Sequence, residues 1–377
     1  MPRPLCLATF ALAAACSSPP SDEADDAGPD AAADPGFVAE LDRLVAPHVD
    51  AGGSAGKAVG LVVVAVGSRA RLVAGYGATA IGGPQPGPDT YFEIGSVTKV
   101  FTGLLLARAL DRGTVALADP IDPQFPAGAP DWNGQAIALV DLATHSSGLP
   151  GMPDNLHSSD PQNPGAGYTT QDLSDFMASH VLVAAPGSTL RYSNLGAGTL
   201  GHVLVQRMGA ANYEALVSAE LAGPLAMSDT IIAVPDADRA RVATGHRDAV
   251  AAAANVIGEP LAGGGALRST GADMLRFVDA ALGRGDPSVV AAWTLALVPQ
   301  RPFPMGTDGQ LGLLIARETN NGRFQYHKSG QTAGFSSFVI FTTSPPAAVV
   351  VLANASELAE SRALETLARE VLALLDR

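Results

Sequence analysis

From Val97 to Ala109 the chain carries Val97, Val100, Phe101, Leu104, Leu105, Leu106, Ala107 and Ala109, apolar nearly all round a 3.6-residue period, and it closes on Gly113. A helix with no polar face must lie inside a protein large enough to surround it, so the spacing predicts a buried helix from about residue 96 to 112. Its mouth reads Tyr91-Phe92-Glu93-Ile94-Gly95-Ser96-Val97-Thr98-Lys99 and places a serine and a lysine three residues apart. Positions i and i+3 share a helix face, so the Lys99 amine reaches the Ser96 hydroxyl, and the free N–H groups of the first turn favour negative charge beside the serine. That is the wiring of an activated nucleophile. The simpler alternative is an N-cap serine followed by an unrelated lysine.

Lysine usage bears on that choice. Of 23 Lys and Arg residues only Lys57, Lys99 and Lys328 are lysines. Arginine stays protonated in proteins, whereas a buried lysine can be tuned to lose its proton, so a lysine here suggests a task arginine cannot perform.

With 377 residues, 47% of them hydrophobic, the chain can bury a large core. Its net charge of −14 argues against nucleic acid or an anionic membrane surface as partner. The opening residues read as a secretory signal over 1–15, with Arg3 as the charged start and an apolar run up to Ala15 that is too short to span a bilayer permanently. Small residues before Cys16 resemble a bacterial lipobox, although Ala13 stands where leucine is usual and Leu12 lies one place early. Lipidation at Cys16 is expected, with plain cleavage after Ala15 as the alternative. Residues 16–36, rich in Ser, Pro, Asp and Ala, read as a disordered tether to a catalytic domain over 37–377. The expected location is the bacterial cell envelope or periplasm, with the membrane touched only through that anchor.

A short helix is expected from Phe37, Val38, Leu41, Leu44 and Val45, then a hairpin of strands 58–66 and 71–75 around Gly67-Ser68-Arg69. Helices are expected over 139–144, 171–180, 195–208, 213–221 and 271–282, the last behind the N-cap Thr270, with Gly263-Gly264-Gly265 as a tight turn before it. Strands 311–316, 323–327, 335–342 and 347–352 and a helix over 358–375 complete the chain. Strands at both ends with helices between them imply an α+β fold: an antiparallel sheet from residues 37–95 and 300–377, flanked by helices, with a mainly helical part over 96–299 inserted.

Two further stretches join Ser96 and Lys99: Tyr192-Ser193-Asn194 at the end of a proline-glycine loop, and Lys328-Ser329-Gly330-Gln331 between two strands. Here the chain resembles the serine β-lactamases and penicillin-binding DD-peptidases, in particular the class C β-lactamase branch. Ser96-Val97-Thr98-Lys99 resembles the family's Ser-x-x-Lys, Tyr192-Ser193-Asn194 its Tyr-x-Asn and Lys328-Ser329-Gly330 its Lys-Thr/Ser-Gly, in the family's order; the class A enzymes carry a variant of this trio. The likeness extends through Leu142-Ala143-Thr144-His145-Ser146-Ser147-Gly148-Leu149-Pro150 and Leu352-Ala353-Asn354. Ser329 in place of the commoner threonine, Gln331 after the glycine, and Leu195-Gly196 after the second motif depart from the narrow cephalosporinases and bear on substrate rather than mechanism.

The resemblance implies that Ser96 attacks a carbonyl while Lys99 and Tyr192 share the proton. It implies that Asn194 holds Lys99 and the substrate amide, that Lys328, Ser329, Gly330 and Gln331 bind substrate, and that the backbone N–H groups of Ser96 and Gln331 form the oxyanion hole. Asn354 is expected to help place a substrate carboxylate, although an asparagine ending a strand is as often a turn former. His145 and His327 read as structural, because no Gly-x-Ser-x-Gly elbow accompanies them, and no residues show zinc-ligand spacing, so neither metal nor cofactor is expected. The expected protein is a monomeric β-lactamase; the alternatives are a D-alanyl-D-alanine carboxypeptidase or endopeptidase, a small-ester esterase, and a penicillin-binding sensor that does not hydrolyse.

Overall fold

The computed structural model describes residues 33–304 and 308–376. Strand β1 (Gly60–Val66) shows how its core is divided. All seven residues are buried, and their two-residue period sends Val62, Val64 and Val66 into one apolar cluster and Leu61, Val63 and Ala65 into another. A strand buried on both faces has no polar side to show, which is why it reads as an unbroken aliphatic run.

The chain begins with α1 (Pro35–Val45), followed after β1 by β2 (Arg71–Gly77) and β3 (Tyr91–Glu93). Helix α2 (Thr98–Asp111), the small hairpin β4 (Asp131–Trp132) and β5 (Gln135–Ala136), and helices α3 (Leu139–Ala143), α4 (Thr170–Ser179), α5 (Asn194–Met208) and α6 (Tyr213–Val217) follow. A second small hairpin, β6 (His246–Arg247) and β7 (Val250–Ala251), precedes β8 (Arg268–Thr270), α7 (Gly271–Ala281) and α8 (Pro287–Ala296). The remainder is β9 (Arg301–Pro302), β10 (Gln310–Leu311), β11 (Ala316–Asn320), β12 (Arg323–Gln331), β13 (Ser336–Thr343), β14 (Pro346–Ala353), α9 (Glu357–Glu360) and α10 (Ala363–Leu375).

The main sheet runs β2-β1-β14-β13-β12-β11-β10-β9, and every pairing in it is antiparallel. Its first hairpin joins its last strand in the register Leu61↔Ala353 to Val66↔Ala348, so both ends of the chain build the sheet as expected. Phe37, Leu41 and Val45 of α1 and Leu364, Leu367, Val371 and Leu372 of α10 cover one face. The other face meets α2, α7 and α8, where Phe101 stacks on Phe277 at 4.3 Å and Trp293 meets Phe341 edge-on.

Four expectations change. Helix α1 starts at Pro35 rather than Phe37, because Asp34 accepts the Gly36 N–H as N-cap and pairs with Arg69 at 2.8 Å; residues 34–36 therefore belong to the fold, while the signal, Cys16 and most of the expected tether lie outside the described residues. The expected strand 311–316 is split. After Leu311 the chain leaves the sheet, Leu313 N–H bonding Ala296 O and Leu314 N–H bonding Ala143 O, so this apolar run packs among helices instead. The last helix is divided by Arg362, whose φ is +59°. Helix α8 and the β3–β8 pair were not foreseen, although Asp286-Pro287 is a legible helix start: the Asp286 carboxylate accepts the Ser288 N–H.

Asn354 is corrected as well. It is fully buried at the end of β14; its Oδ1 accepts the Gly60 N–H at 2.7 Å and its amide donates to Ala78 O and Thr79 O, both at 3.2 Å. Those bonds lock β14 to β1 and to the loop after β2 and leave nothing for a substrate carboxylate. Asn354→Ala should lower the unfolding free energy by about 2–4 kcal/mol, because two buried backbone groups, Gly60 N–H and Ala78 O, lose their partner, while Thr79 O keeps the Thr244 N–H. Urea denaturation checks this through a lower midpoint with an unchanged slope.

Candidate active site

Ser96 sits in a 3-10 turn, Gly95–Val97, that enters α2, rather than on the α-helix itself. Two glycines allow this turn to lie against β12. A Cβ on Gly95, whose φ is +49°, would stand 2.7 Å from Gln331 N, and one on Gly330 would stand 2.1 Å from Ile94 O. Ser337 donates its hydroxyl to Ile94 O at 2.8 Å and fixes the approach. The backbone of Gln331 therefore lies beside that of Gly95-Ser96. The Gln331 side chain is used elsewhere, donating to Ser356 O and to Glu360, both at 3.0 Å. Ser329 is exposed on β12, next to Lys328.

Lys99 is fully buried in the first turn of α2. Its ammonium donates to Ser96 Oγ at 3.0 Å, to Asn194 Oδ1 at 2.7 Å and to Gly264 O. Burial disfavours the charged amine, and the nearby Lys328 adds to it; together they outweigh the attraction of Tyr192 and bring Lys99 down to about 8. Ser193 caps helix α5, accepting the Gly196 N–H at 2.8 Å, and so leaves the Asn194 side chain for Lys99.

The Gly264 carbonyl is a functional group missed in the sequence, where the glycine run reads only as a turn. Thr102 donates to Gly263 O at 2.8 Å, and a Cβ on Gly264 would stand 2.9 Å from Asn194 O. Only glycine lets this segment lie flush between α2 and α5 and present a carbonyl to Lys99. Three consecutive glycines between two apolar helices are the signal of such a close backbone approach.

Tyr192 donates to Ser96 Oγ at 2.8 Å, and Lys328 Nζ lies 3.4 Å from its hydroxyl. Both ammonium groups also stand over its ring, Lys99 at 4.9 Å and Lys328 at 4.8 Å from the centroid. Burial alone would raise the phenol, but the positive charges of Lys328 and Lys99, with the bonds from Lys99 and Ser96, bring it down to about 7. Sequence reading thus named the five side chains that meet here: Ser96, Lys99, Tyr192, Asn194 and Lys328.

His145 brackets the tyrosine. Its carbonyl accepts the Arg191 N–H at 2.7 Å, its Nδ1 accepts the Ser193 N–H at 3.2 Å, and its ring lies 4.5 Å from that of Tyr192. Burial and the two lysines hold it well below its usual value, so it is neutral with its proton on Nε2. His327 is buried on β12, 3.7 Å from Glu318, and burial depresses it to about 4. Neither histidine is bonded to Ser96, whose hydroxyl partners among the described residues are Lys99 and Tyr192. No group of three His, Cys, Asp or Glu among the described residues is placed to hold a metal ion.

The cleft next to Ser96 has a volume of about 270 Å³ and is walled by Met152, Asn163, Asn255, Val256, Ile257 and Leu261. Apolar groups dominate this lining, which with Asn194 includes three asparagines.

A family model described as Beta-lactamase matches residues 41–373. The D-alanyl-D-alanine-carboxypeptidase/endopeptidase AmpH of Escherichia coli (strain K12) is 31% identical over 255 residues, which are 65% of this chain and 62% of that protein, so the chain spans under two thirds of that relative's length. A Beta-lactamase of the same organism is 30% identical over 302 residues, 71% of this chain and 76% of that protein. Among solved structures, the fold is similar to that of a Beta-lactamase/D-alanine Carboxypeptidase from Yersinia pestis complexed with citrate, with a TM-score of 0.77 at 21% identity over 90% of this chain and 99% of that one. Its large antiparallel sheet with flanking helices, its Ser96-Lys99, Tyr192-Asn194 and Lys328-Gly330 motifs gathered at one cleft, and the match over residues 41–373 make the chain a member of the beta-lactamase family.

Proposed function

We propose that the protein is a serine hydrolase that opens β-lactams through an acyl-enzyme on Ser96. One observation carries this reading: a single hydroxyl is bonded at once to a buried lysine and to a tyrosine whose proton affinities lie near neutrality. The Tyr192 phenolate takes the Ser96 proton as Oγ bonds to the carbonyl carbon. The oxyanion that forms is met by the backbone N–H groups of Ser96 and Gln331, a contribution of roughly 3 kcal/mol per donor. Collapse breaks the carbonyl–nitrogen bond, Tyr192 returns the proton to the leaving nitrogen, and the acyl group remains on Ser96. Water then enters by the reverse steps. Asn194 and Gly264 O hold Lys99 as an ammonium beneath the phenolate, Asn194 also meets the substrate amide, and Lys328 and Ser329 receive the substrate carboxylate at the edge of β12. Every group invoked comes from one chain, so a monomer suffices for this chemistry.

A second reading, cleavage of D-alanyl-D-alanine peptides, is favoured by the likeness to a carboxypeptidase/endopeptidase. The same acyl transfer serves both, since each substrate carries a carboxylate near the scissile amide. Ser96→Ala should abolish turnover of a chromogenic cephalosporin and the mass increase from bound penicillin, while costing under about 1.5 kcal/mol of stability. Intact-protein and peptide mass spectrometry check this, and an adduct on a different serine would overturn the assignment.

The two titrations set the pH profile. kcat/KM should rise as Tyr192 deprotonates near pH 7 and fall as the Lys99 ammonium is lost near pH 8. Lys328→Ala removes a positive charge that favours the phenolate, so the acid limb should move to higher pH. A profile whose acid limb stays in place in the variant would assign Lys328 to carboxylate binding alone.

We further infer export and lipidation at Cys16, supported by the short apolar run and the small residues before it. Stable anchoring needs more than one acyl chain. The wild-type protein should partition into the detergent phase and Cys16→Ser into the aqueous phase, as phase separation would show.

A further inference from the structure

One wall of the cleft has no secondary structure of its own. Residues 252–258 run as irregular coil from β7 to the turn that presents Gly264, and Asn255, Val256 and Ile257 face the space beside Ser96. A coil wall has no ladder to satisfy its backbone, so its amides must find partners elsewhere. At its two ends they are carbonyls, Ala252 N–H bonding Gly245 O and Gly258 N–H bonding Gly165 O, both at 2.8 Å; between them they are side chains. Ala253 N–H donates to Gln162 Oε1 at 3.1 Å, Val256 N–H to Asn163 Oδ1 at 2.7 Å, and Asn255 N–H to Glu93 Oε1 at 2.7 Å.

Glu93 differs from the other two. It is 4% exposed, it lies three residues before the nucleophile, and its strand β3 pairs with β8 so that Glu93 faces Arg268. Arg268 donates to Glu93 Oε1 at 3.1 Å and to Asn255 O at 2.9 Å, so the ion pair grips the Asn255 peptide by both its N–H and its C=O. Asn255 in turn donates its side-chain amide to Gly265 O at 3.2 Å, next to the carbonyl that holds Lys99. The other oxygen of Glu93 is buried and meets no donor among the described residues. A buried carboxylate with one oxygen unmatched by a protein donor is costly, and the reaction chemistry described above makes no use of it.

We propose that Glu93 is a positioning residue that acts through Asn255: the Glu93–Arg268 pair braces the wall at residues 255–257 and so sets the size of apolar acyl side chain that the cleft admits. The kinetic part of this inference rests on acyl transfer at Ser96, whereas the structural part does not. Gln162 and Asn163 hold the coil through neutral bonds on either side of Asn255, whereas the bond from Glu93 is charge-assisted; loosening it widens the cleft without moving Ser96, Lys99 or Tyr192, none of which is hydrogen-bonded to Glu93.

The test uses the full chain with Glu93→Ala and Glu93→Gln, the glutamine keeping an oxygen for the Asn255 N–H. Amide hydrogen exchange across residues 253–258 should accelerate about tenfold or more in Glu93→Ala and by less in Glu93→Gln, with α2 unchanged. Between two penicillins that differ only in side-chain size, KM for the one that fills the cleft should rise about five- to tenfold in the alanine variant while kcat stays within about twofold, and glutamine should restore part of the loss. If Glu93→Ala does not fold, the glutamine variant alone carries both measurements. Unchanged exchange at residues 253–258, or kcat falling in step with kcat/KM, would overturn the proposal. If no β-lactam acylates Ser96 in the wild-type protein, the hydrolase reading fails on its own, and the exchange data still decide the brace.

Discussion

The site depends on one energetic tension: an ammonium group held where water cannot reach it. Lys99 lies in α2, a helix buried along nearly its whole length, and its charge survives because three oxygens, from Ser96, Asn194 and Gly264, converge on it. Each comes from a different segment, so helix α5, the glycine run and the nucleophile turn must all be seated before the lysine is satisfied. Weakly held protons at neutral pH follow from that arrangement, because burial pulls the amine down while the amine pulls the neighbouring phenol down.

Close approach of backbones supplies the geometry. Gly95 and Gly330 let β12 run against the turn that carries Ser96, and Gly264 lets a loop run against α5. A side chain at any of these positions would separate surfaces whose value lies in their contact. The doubly covered sheet holds the whole assembly still, since a strand with core on both faces cannot tilt without opening one of them.

Much of this was legible in the sequence. A Ser-x-x-Lys at the mouth of an all-apolar helix, a tyrosine and an asparagine two apart, and a lysine ending a strand each carry chemistry in their residue types, and the sheet announced itself through its aliphatic runs. What escaped was set by tertiary context. Asn354 has the composition of a binding residue but spends every bond on backbone. The stretch 312–315, inside the expected strand 311–316, has the composition of a strand yet packs among helices, because burial and not pairing accounts for its apolar residues. Gly264 was invisible as a ligand because its functional atom is a carbonyl, which every residue has. Glu93 was equally hidden, since its partner Arg268 lies far along the chain and the β3–β8 pairing that joins them is only three residues long.

The pairing of β1 with β14 also fixes when the protein can first work. During synthesis the hairpin β1–β2 emerges early with one edge unpaired, and that edge waits for residues 348–353 before it finds its partner. The nucleophile turn waits too, because the serine that anchors Ile94 O is Ser337 of β13. Contacts of such long sequence separation form late and slowly, so the cleft is among the last features to be assembled. A nascent chain therefore carries its reactive serine and lysine for most of its synthesis without the means to use them.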